Sequence, residues 1–360
     1  MDNNQQLIAQ KFGSDAVIAS HGKEPQPLVS IIIPTYNCLE YLPRAIQSIQ
    51  SQGVSELEIL IIDDNSKDDT WAYLTLACLC DSRIVPIKGQ GGCVSTARNK
   101  GINTAKGRLV AFLDADDYWT EGKLQRQINF HLNNPKATMS FTNYLHVDEQ
   151  DTDLGDCFGY WPRFSKFVNR LNTGKSAGKS TGKSAGTSNK NYHLLDKTGL
   201  GKVYAENVIG TSTVMLDRNN LKWPVLFDTK LRSAEDWDYW LNCAKQGPIG
   251  FTSNIDMIYL MRKNSESSKV EIRLEYMYFI MRRHYKAVLS KNPLALFPSL
   301  SRLITGHAEL QRSKTDKAPF LKRKFQSIKA GILHFTAFII SPSNRGFRAM
   351  LADIKHLLTA

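Results

Sequence analysis

Three short apolar runs, each followed at once by polar residues, constrain the fold of this chain more than any other feature of its sequence. The runs are Leu28–Ile33, Leu57–Ile62 and the first half of Arg108–Asp117 (RLVAFLDADD). Segments with helical spacing and one further short strand are expected between them, at Leu39–Gln52, Leu74–Leu79, Arg83–Ile87 and Val94–Thr104. Alternating strands and helices of this kind predict an α/β fold with a mostly parallel central sheet flanked by helices.

The polar residues that end these three strands are the first candidates for a functional site. They read Pro-Thr-Tyr-Asn at 34–37, Asp-Asp-Asn-Ser at 63–66 and Asp-Ala-Asp-Asp at 114–117. In parallel sheets, ligands bind beyond the carboxyl ends of the strands, at a point where the strand order reverses. The three polar groups are therefore expected to converge on one edge of the sheet.

The Asp114-Ala115-Asp116 motif is the strongest of these candidates. If the strand continues through it, alternate side chains point the same way, so that Asp114 and Asp116 face one point while Ala115 and Asp117 face away. Paired carboxylates suit Mg²⁺ or Mn²⁺, which completes its shell with water and substrate phosphates. The alternative is that these acids only form a turn and cap a helix starting at Tyr118–Glu121.

Two further residues fit a nucleotide site when taken with that motif. Asp64 can accept hydrogen bonds from a base or a ribose hydroxyl, as acids do in other nucleotide-binding sheets, although an Asx turn needs no ligand. Arg98 lies in STARNKG at a helix start and can bind a diphosphate with its planar guanidinium. Without the other motifs, Arg98 is an ordinary surface arginine.

A second pair of acids, Glu235 and Asp236, precedes Trp237, Trp240 and Leu241 at helical spacing. The apolar residues are expected to dock on the core and leave the two acids at the helix N-terminus. A carboxylate in that place can act as general base on an acceptor hydroxyl. It can equally be a stabilising charge at the positive end of the helix dipole.

Composition changes along the chain predict its organisation. Residues 1–27 are a polar leader without a secretory signal, and residues 172–190 form a low-complexity insertion, NTGKSAGKSTGKSAGTSNK. The longest apolar run, at Ala330–Ile340, is about half the roughly 20 residues that a membrane-spanning helix needs. Six scattered cysteines without metal-ligand spacing fit a reducing compartment. The sequence therefore predicts a cytoplasmic protein.

Positive charge is concentrated in the last quarter of the chain. Residues 262–360 hold 19 Lys or Arg against 6 Asp or Glu, whereas the rest holds 27 against 28. Such a basic, helical extension over 263–360 suggests an anionic membrane surface or another acidic partner, or only a solvated face. The segment Arg345–Leu358 is expected to form an amphipathic helix that either docks on its own domain or lies on a membrane.

With these residues assembled, the chain strongly resembles the family-2 glycosyltransferases, which adopt the GT-A fold. The resemblance extends over residues 28–262 and is carried by VSIIIPTYN, LEILIIDDNSKDDT, STARNKGINTAKGRLVAFLDADDYW and AEDWDYWLNCAKQG, in the family's order. Several ordered motifs are far more specific than any single one. The resemblance implies a GT-A catalytic domain at 28–262, with the insertion and the extension outside it.

The resemblance also implies roles for individual residues. Thr35 and Tyr36 would line the base pocket, and Asp64 would contact the base, typically uracil. Asp236 would be the catalytic base, supported by Glu235. The donor site implied in this way comprises Pro34, Thr35, Tyr36, Asp64, Arg98, Asp114, Ala115, Asp116 and Arg262.

Within that donor site, Asp114 would hold the ribose or sugar and Asp116 would bind the metal, Mg²⁺ or Mn²⁺, with Asp114 beside it. Arg262 would lie near the donor phosphates. The implied reaction is a single inverting displacement from a nucleotide-sugar, typically a UDP-sugar, to an acceptor hydroxyl.

The expected acceptor is a saccharide or a lipid-linked saccharide, in the synthesis of a cell-surface polysaccharide or lipopolysaccharide. The basic extension would then place the enzyme peripherally on the inner face of the plasma membrane. Acceptor contacts are expected from 157–197, the least readable stretch. The sugar and the linkage do not follow from the sequence.

Three other functions compete with this interpretation. A nucleotidyltransferase generally has a Gly-rich, Arg-containing loop after the first strand, but this chain has PTYNCLEYL there. A nucleic-acid-binding protein would suit the basic extension, yet no zinc-finger spacing or aromatic RNA-binding signature is found, so no specific nucleic acid is expected. An inactive transferase-like scaffold is disfavoured because all the expected carboxylates are present.

Overall fold

The computed structural model describes residues 26–172, 192–262, 270–315, 320–342, 348–349 and 351–352. The strands are β1 Val29–Thr35, β2 Leu57–Asp63, β3 Ile84–Lys88, β4 Leu109–Phe112, β5 Tyr118–Trp119, β6 Met139–Val147, β7 Asp153–Asp156, β8 Tyr192–Leu195, β9 Met215–Asp217 and β10 Ile249–Leu260. The helices are α1 Leu42–Gln50, α2 Thr70–Cys80, α3 Val94–Thr104, α4 Lys123–Asn133, α5 Cys157–Tyr160, α6 Pro162–Asn172, α7 Gly199–Ala205, α8 Glu235–Ala244, α9 Val270–Lys291, α10 Leu296–Thr315 and α11 Phe320–Ile340.

All ten strands of the described chain belong to one sheet. Its order is β3-β2-β1-β4-β9-β6-β10-β5, with β7 added beside β6 and β8 beside β10. Strands β1 to β4, β6 and β10 share one direction, and the short strands β5, β7, β8 and β9 run against them. The predicted mostly parallel central sheet flanked by helices is confirmed.

The two faces of the sheet are buried against different helices. Every residue of β1 is buried, and alternate side chains enter different apolar clusters. Ile31 and Ile33 pack in the cluster that holds the apolar face of α1, whereas Ile32 packs with residues of α3 and α8. Burying each such side chain contributes about 1.5–3 kcal/mol, so this helix–sheet–helix packing fixes where the strand ends lie.

The chain beyond the sheet is helical where it is described. Helices α10 and α11 form an antiparallel hairpin, in which the Ser301 hydroxyl donates to the Ala337 carbonyl oxygen at 2.8 Å. Within the described residues, the helices lack the combined length and apolar character of a membrane span. Residues 1–25 of the predicted leader at 1–27, most of the insertion at 172–190 and most of the predicted helix Arg345–Leu358 lie outside the described residues. The proposed division at 262 stays a prediction.

The structure corrects the prediction that a strand continues through the acidic motif. Strand β4 ends at Phe112, and a turn follows, closed by a bond from the Asp117 N–H to the Asp114 carbonyl oxygen at 3.0 Å. No helix starts at Tyr118–Glu121, because Tyr118 and Trp119 pair with β10 instead. Helix α4 begins only after Gly122, whose φ of 74° is readily adopted by glycine.

Candidate active site

The ends of β1 and β2 form one side of the site. Thr35 pairs with Asp63 in the parallel register, and the Asp64 N–H donates to the Thr35 carbonyl oxygen at 2.8 Å. Thr35 and Pro34 are buried in the strand, whereas the Tyr36 side chain is 54% exposed. The predicted convergence of these two strand ends is therefore observed, with an exposed aromatic ring in front of it.

A glycine-containing loop holds Asp64. The Gly91 N–H donates to Asp64 Oδ1 at 3.0 Å, and Gly91 has a φ of 73° that favours glycine. A Cβ atom at Gly89 would lie 2.5 Å from the same carboxylate oxygen, so a larger residue there would displace it. Between this loop and α3 is a cavity of about 320 Å³, which Asp64, Gly89 and Gln90 line together with Thr96 and Lys100. That volume is at the lower end of ligand pockets.

The side chain of Arg98 occupies the centre of the site. It projects from α3, is buried, and donates from Nη2 to both carboxylate oxygens of Asp114 at 2.8 and 3.1 Å. Its Nη1 donates to Glu235 Oε1 at 3.0 Å. Burial opposes the charge on Arg98, but Asp114 and Glu235 outweigh it and raise the pKa of the guanidinium. One arginine thus joins the two acidic motifs.

The second carboxylate of the Asp114–Asp116 motif points to a different arginine. Asp116 Oδ2 lies 2.5 Å from Nη2 of Arg262, two residues after the end of β10. Burial and the nearby charge of Asp114 raise the pKa of Asp116, and Arg262 partly offsets this. The two carboxylates are therefore close enough to repel each other.

The turn itself is held from inside by Ser212. The Asp114 N–H donates to Ser212 Oγ at 3.0 Å, and this hydroxyl donates to Asp117 Oδ2 at 2.5 Å. The Asp117 side chain is buried, as is Ala115, so both face the core and leave the site to Asp114 and Asp116. The predicted separation of the four side chains is observed, but a turn rather than strand alternation produces it.

The acidic pair fits a divalent cation in chemistry and in charge. Asp114 and Asp116 offer oxygen ligands, and mutual repulsion between two half-buried carboxylates is relieved by a bound cation. No cluster of three or more His, Cys, Asp or Glu side chains placed for a metal occurs in the described part of the chain. A cation here would therefore take further ligands from water and from substrate phosphates, as Mg²⁺ usually does.

Glu235 and Asp236 form the first turn of α8, opposite the strand ends. The preceding residue, Ala234, has a left-handed φ of 56°, and the helix then packs by Trp237 and Trp240, both buried. Asp236 Oδ1 accepts from the Trp237 N–H at 2.6 Å. Burial and the charge of Glu235 raise the pKa of Asp236 to about 7, although Arg98 opposes this. A carboxylate with such a pKa is suited to exchanging protons near neutral pH.

A further network of ion pairs, centred on Asp238 of α8, was not predicted from the sequence. Asp238 is buried and lies 2.7 Å from Nε2 of His284 and 2.9 Å from Nη1 of Arg283, both on α9. Arg283 also contacts Asp228 at 2.7 Å. The only signal in the sequence was a third acid near Glu235 and Asp236, because its partners lie 45 and 46 positions away. The network fastens α8 to α9.

Six of the predicted site residues thus form one connected group, whereas Pro34, Thr35, Tyr36 and Asp64 lie at the ends of β1 and β2. Arg98, Asp114, Asp116 and Arg262 are linked by ion pairs or by electrostatic interaction, and Glu235 joins them through Arg98. The charges of Glu235, Arg98 and Asp114 also affect the pKa of Asp236. Their roles in binding and catalysis stay predictions.

The chain is similar in sequence to one known protein family and to individual relatives. Residues 30–192 match the family model described as Glycosyl transferase family 2. The Escherichia coli UDP-Glc:alpha-D-GlcNAc-diphosphoundecaprenol beta-1,3-glucosyltransferase WfaP is 32% identical over 250 residues, which cover 67% of this chain and 80% of WfaP. The putative teichuronic acid biosynthesis glycosyltransferase TuaG of Bacillus subtilis (strain 168) is 28% identical and covers 71% of this chain and 88% of TuaG.

Two solved structures resemble the whole described architecture. TarS 1–349 of S. aureus in complex with UDP-GlcNAc has a TM-score of 0.56 and 16% identity, and the match covers 92% of this chain and 89% of that one. The mannosyltransferase PcManGT of Pyrobaculum calidifontis, in complex with GDP-Man and Mn²⁺, has a TM-score of 0.50 and 17% identity, covering 93% and 86%. These likenesses show the fold alone, and they confirm the expected GT-A fold.

Proposed function

The chain belongs to glycosyl transferase family 2, and on that premise we propose that it transfers a sugar from a UDP-sugar to an acceptor hydroxyl with inversion. The observation that carries the proposal is the arrangement around Arg98. This buried guanidinium joins Asp114, on the expected donor side, to Glu235, beside the expected base Asp236. A displacement needs leaving-group stabilisation on one side and a base on the other, and the two acidic pairs provide those places.

The nucleoside of the donor is proposed to bind across the ends of β1 and β2. Tyr36 presents an exposed ring, and Asp64 is held in place by the Gly91 N–H. Asp64 Oδ2 has no bond to that N–H and is the oxygen expected to accept from the N–H of a uracil ring. The Thr35 hydroxyl is buried and finds no hydrogen-bond partner within the described residues, so a nucleoside would bond to it only after a small local movement.

The diphosphate is proposed to bind beside Asp114 and Asp116, with a divalent cation held by these two side chains. Bound there, Mg²⁺ or Mn²⁺ would stabilise the negative charge that develops on the leaving diphosphate. Arg262 pairs with Asp116 at 2.5 Å and is partly exposed, so its guanidinium can also donate hydrogen bonds to a donor phosphate.

Asp236 is proposed to remove the proton from the acceptor hydroxyl. The acceptor oxygen forms a bond to the anomeric carbon as the bond from that carbon to the diphosphate oxygen breaks, and the proton goes to Asp236. One carboxylate then suffices, and attack from the side opposite the leaving group inverts the configuration. A base with a pKa of about 7 is half ionised at neutral pH and strong enough to accept a proton.

The acceptor is proposed to be a lipid-linked saccharide in cell-surface polysaccharide synthesis. The relative WfaP acts, by its name, on a saccharide attached to diphosphoundecaprenol, and TuaG is described as a teichuronic acid biosynthesis enzyme. The cytoplasmic location and the acceptor role of residues 157–197 remain predictions of the same hypothesis.

A nucleotide screen tests the donor assignment directly. UDP with Mn²⁺ is expected to raise the thermal unfolding midpoint, because a ligand that binds only the folded chain stabilises it by mass action. The same nucleotide with EDTA should shift it much less. GDP, dTDP and CMP serve as controls measured at the same concentration. A larger shift with GDP than with UDP would change the proposed donor from a UDP-sugar to a GDP-sugar. If none of the nucleotides shifted the midpoint and the protein bound RNA, it would instead be a nucleic-acid-binding protein.

The pKa of Asp236 predicts the pH dependence of the reaction. Because the base must be ionised, kcat/KM is expected to rise with pH and level off above about 7. Glu235 raises that pKa, so the variant Glu235→Gln should move the rise to lower pH. The measurement is kcat/KM against pH for both proteins. If kcat/KM did not change between about pH 5 and about pH 8, Asp236 would be excluded as the titrating base.

A further inference from the structure

The hairpin of α10 and α11 carries apolar side chains that nothing in the described chain covers. On α11 these are Ile328, Ile332, Phe335 and Ile339, with exposed fractions from 46% to 62%. At the start of the hairpin, Leu294 and Phe297 are exposed by 78% and 55%. We refer to these six residues as the hairpin face.

The spacing of the four residues on α11 makes them a stripe. Steps of four, three and four residues place them along one side of a helix. The buried residues of the same helix, including Ala330, His334 and Ala337, follow the same spacing on another side. A helix that only packs on its own domain needs a single buried side. Helix α11 therefore has a second apolar side that its own domain does not use.

The two arms of the hairpin bring their exposed residues to the same end. The bond from Ser301 Oγ to the Ala337 carbonyl oxygen places the start of α10 beside the end of α11. Phe297 lies one turn before Ser301, and Phe335 and Ile339 flank Ala337. Phe297, Phe335 and Ile339 thus lie near one end of the hairpin, and Ile332 and Ile328 continue the stripe along α11. Grouped apolar residues of this kind mark an interaction surface more often than scattered ones do.

The basic residues in the sequence of the hairpin favour a negatively charged partner. In the sequence, residues 312–329 carry seven Lys or Arg and a single acid, Asp316, and the structure describes the side chains of Arg312 and Lys329 among these basic residues. A helix with an apolar stripe next to a dense basic segment binds anionic lipid surfaces through both. A second copy of the chain carries the same net charge of +12, and the repulsion between like charges disfavours it as the partner.

We propose that the hairpin face docks on an anionic lipid bilayer, with α11 lying along the surface. The apolar stripe enters the interface between headgroups and acyl chains, and Lys329, exposed next to Ile328, contacts lipid phosphates. This surface lies outside the transfer site, so the proposal goes beyond the transfer reaction and does not depend on its donor. It would, however, bring the site to lipid-linked acceptors.

Flotation of the full-length protein with lipid vesicles tests the proposal. The wild-type chain is expected to float with vesicles of phosphatidylcholine and phosphatidylglycerol, and much less with phosphatidylcholine alone. The double variant Ile332→Gln/Phe335→Gln should reduce the partition coefficient by about tenfold or more, because both side chains are exposed and Gln preserves helix propensity. Phe297→Gln on the other arm is a second, independent variant with the same expected direction.

A matched control is available on α2, which is more than 200 residues before the hairpin in the sequence. Leu76 and Leu79 are 65% and 80% exposed, so Leu76→Gln/Leu79→Gln removes a similar apolar area elsewhere. This control should float like the wild type. Equal flotation of the wild type and both hairpin variants would overturn the proposal. So would a wild-type dimer that the hairpin variants convert to monomers without loss of lipid binding. The nucleotide-induced thermal shift, measured in parallel, reports on the transfer site independently.

Discussion

The variant Asp236→Asn is expected to lower the rate of sugar transfer by about 10³-fold, the usual contribution of a positioned general base. Asparagine has nearly the same shape, and its side-chain oxygen can still accept from the Trp237 N–H. It cannot take a proton from the acceptor. UDP binding in the presence of Mn²⁺ should remain close to that of the wild type, because the proposed nucleoside and diphosphate contacts lie on other elements. Initial transfer rates and the thermal shift with UDP measure the two effects separately.

The control for this variant is Asp69→Asn. Asp69 is the residue before α2, makes no capping bond with its side chain, and is exposed, so its replacement alters only a charge at a helix N-terminus. It should leave transfer within about twofold of the wild type, since the effect of such a charge is small. Transfer by Asp236→Asn at the wild-type rate would remove Asp236 from the role of base and leave the helix-dipole interpretation.

The variant Asp116→Ala is expected to reduce transfer by about 10²-fold or more and to abolish the response to added Mn²⁺. The reason is that a cation stabilising the leaving diphosphate contributes several kcal/mol, and each 1.36 kcal/mol is about a factor of ten in rate. UDP binding should weaken as well, because the nucleotide phosphates share the cation. Transfer rates and UDP thermal shifts are measured with a series of Mn²⁺ concentrations.

Asp151→Ala is the matched control for that loss. Asp151 is paired with Arg44 at 3.3 Å on the surface, so its removal also leaves an arginine without its carboxylate. Exposed pairs of this kind contribute about 1 kcal/mol at most, and transfer and its Mn²⁺ dependence should not change. If Asp116→Ala retained the full Mn²⁺ response, the cation would have to bind elsewhere, and the assignment of the Asp114–Asp116 motif would be wrong.

Elements with strong local patterns could be predicted closely from the sequence. Helix α3 has the predicted bounds, Val94–Thr104, and the continuous apolar runs at β1 and β2 placed both strands to within two residues. Local hydrophobic pattern decides these elements, because the side chains that make the pattern are also the ones buried. The convergence of the strand ends then followed from the rules of parallel sheets.

Features that depend on distant partners could not be predicted in the same way. The turn at Asp114–Asp117 exists because Ser212, about a hundred positions later, bonds to both of its ends. The diphosphate-binding role of Arg98 stays a prediction, but nothing near it in the sequence indicated that its guanidinium contacts Asp114 and Glu235. Neither contact leaves a trace in the neighbouring sequence, since each is decided by how the elements pack.

The shared engagement of Arg98 has a thermodynamic consequence. Any ligand that draws Asp114 away leaves the guanidinium with Glu235 as its remaining carboxylate partner among the contacts described, and so strengthens that pairing. The electrostatic environment of the neighbouring Asp236 is then expected to differ between the empty and the occupied state of the proposed donor site. Linkage is reciprocal, so whatever binds beside Glu235 must alter the affinity at Asp114 by the same factor. Binding beside Asp114 and binding beside Glu235 are therefore expected to be coupled through the Arg98 guanidinium that both carboxylates share.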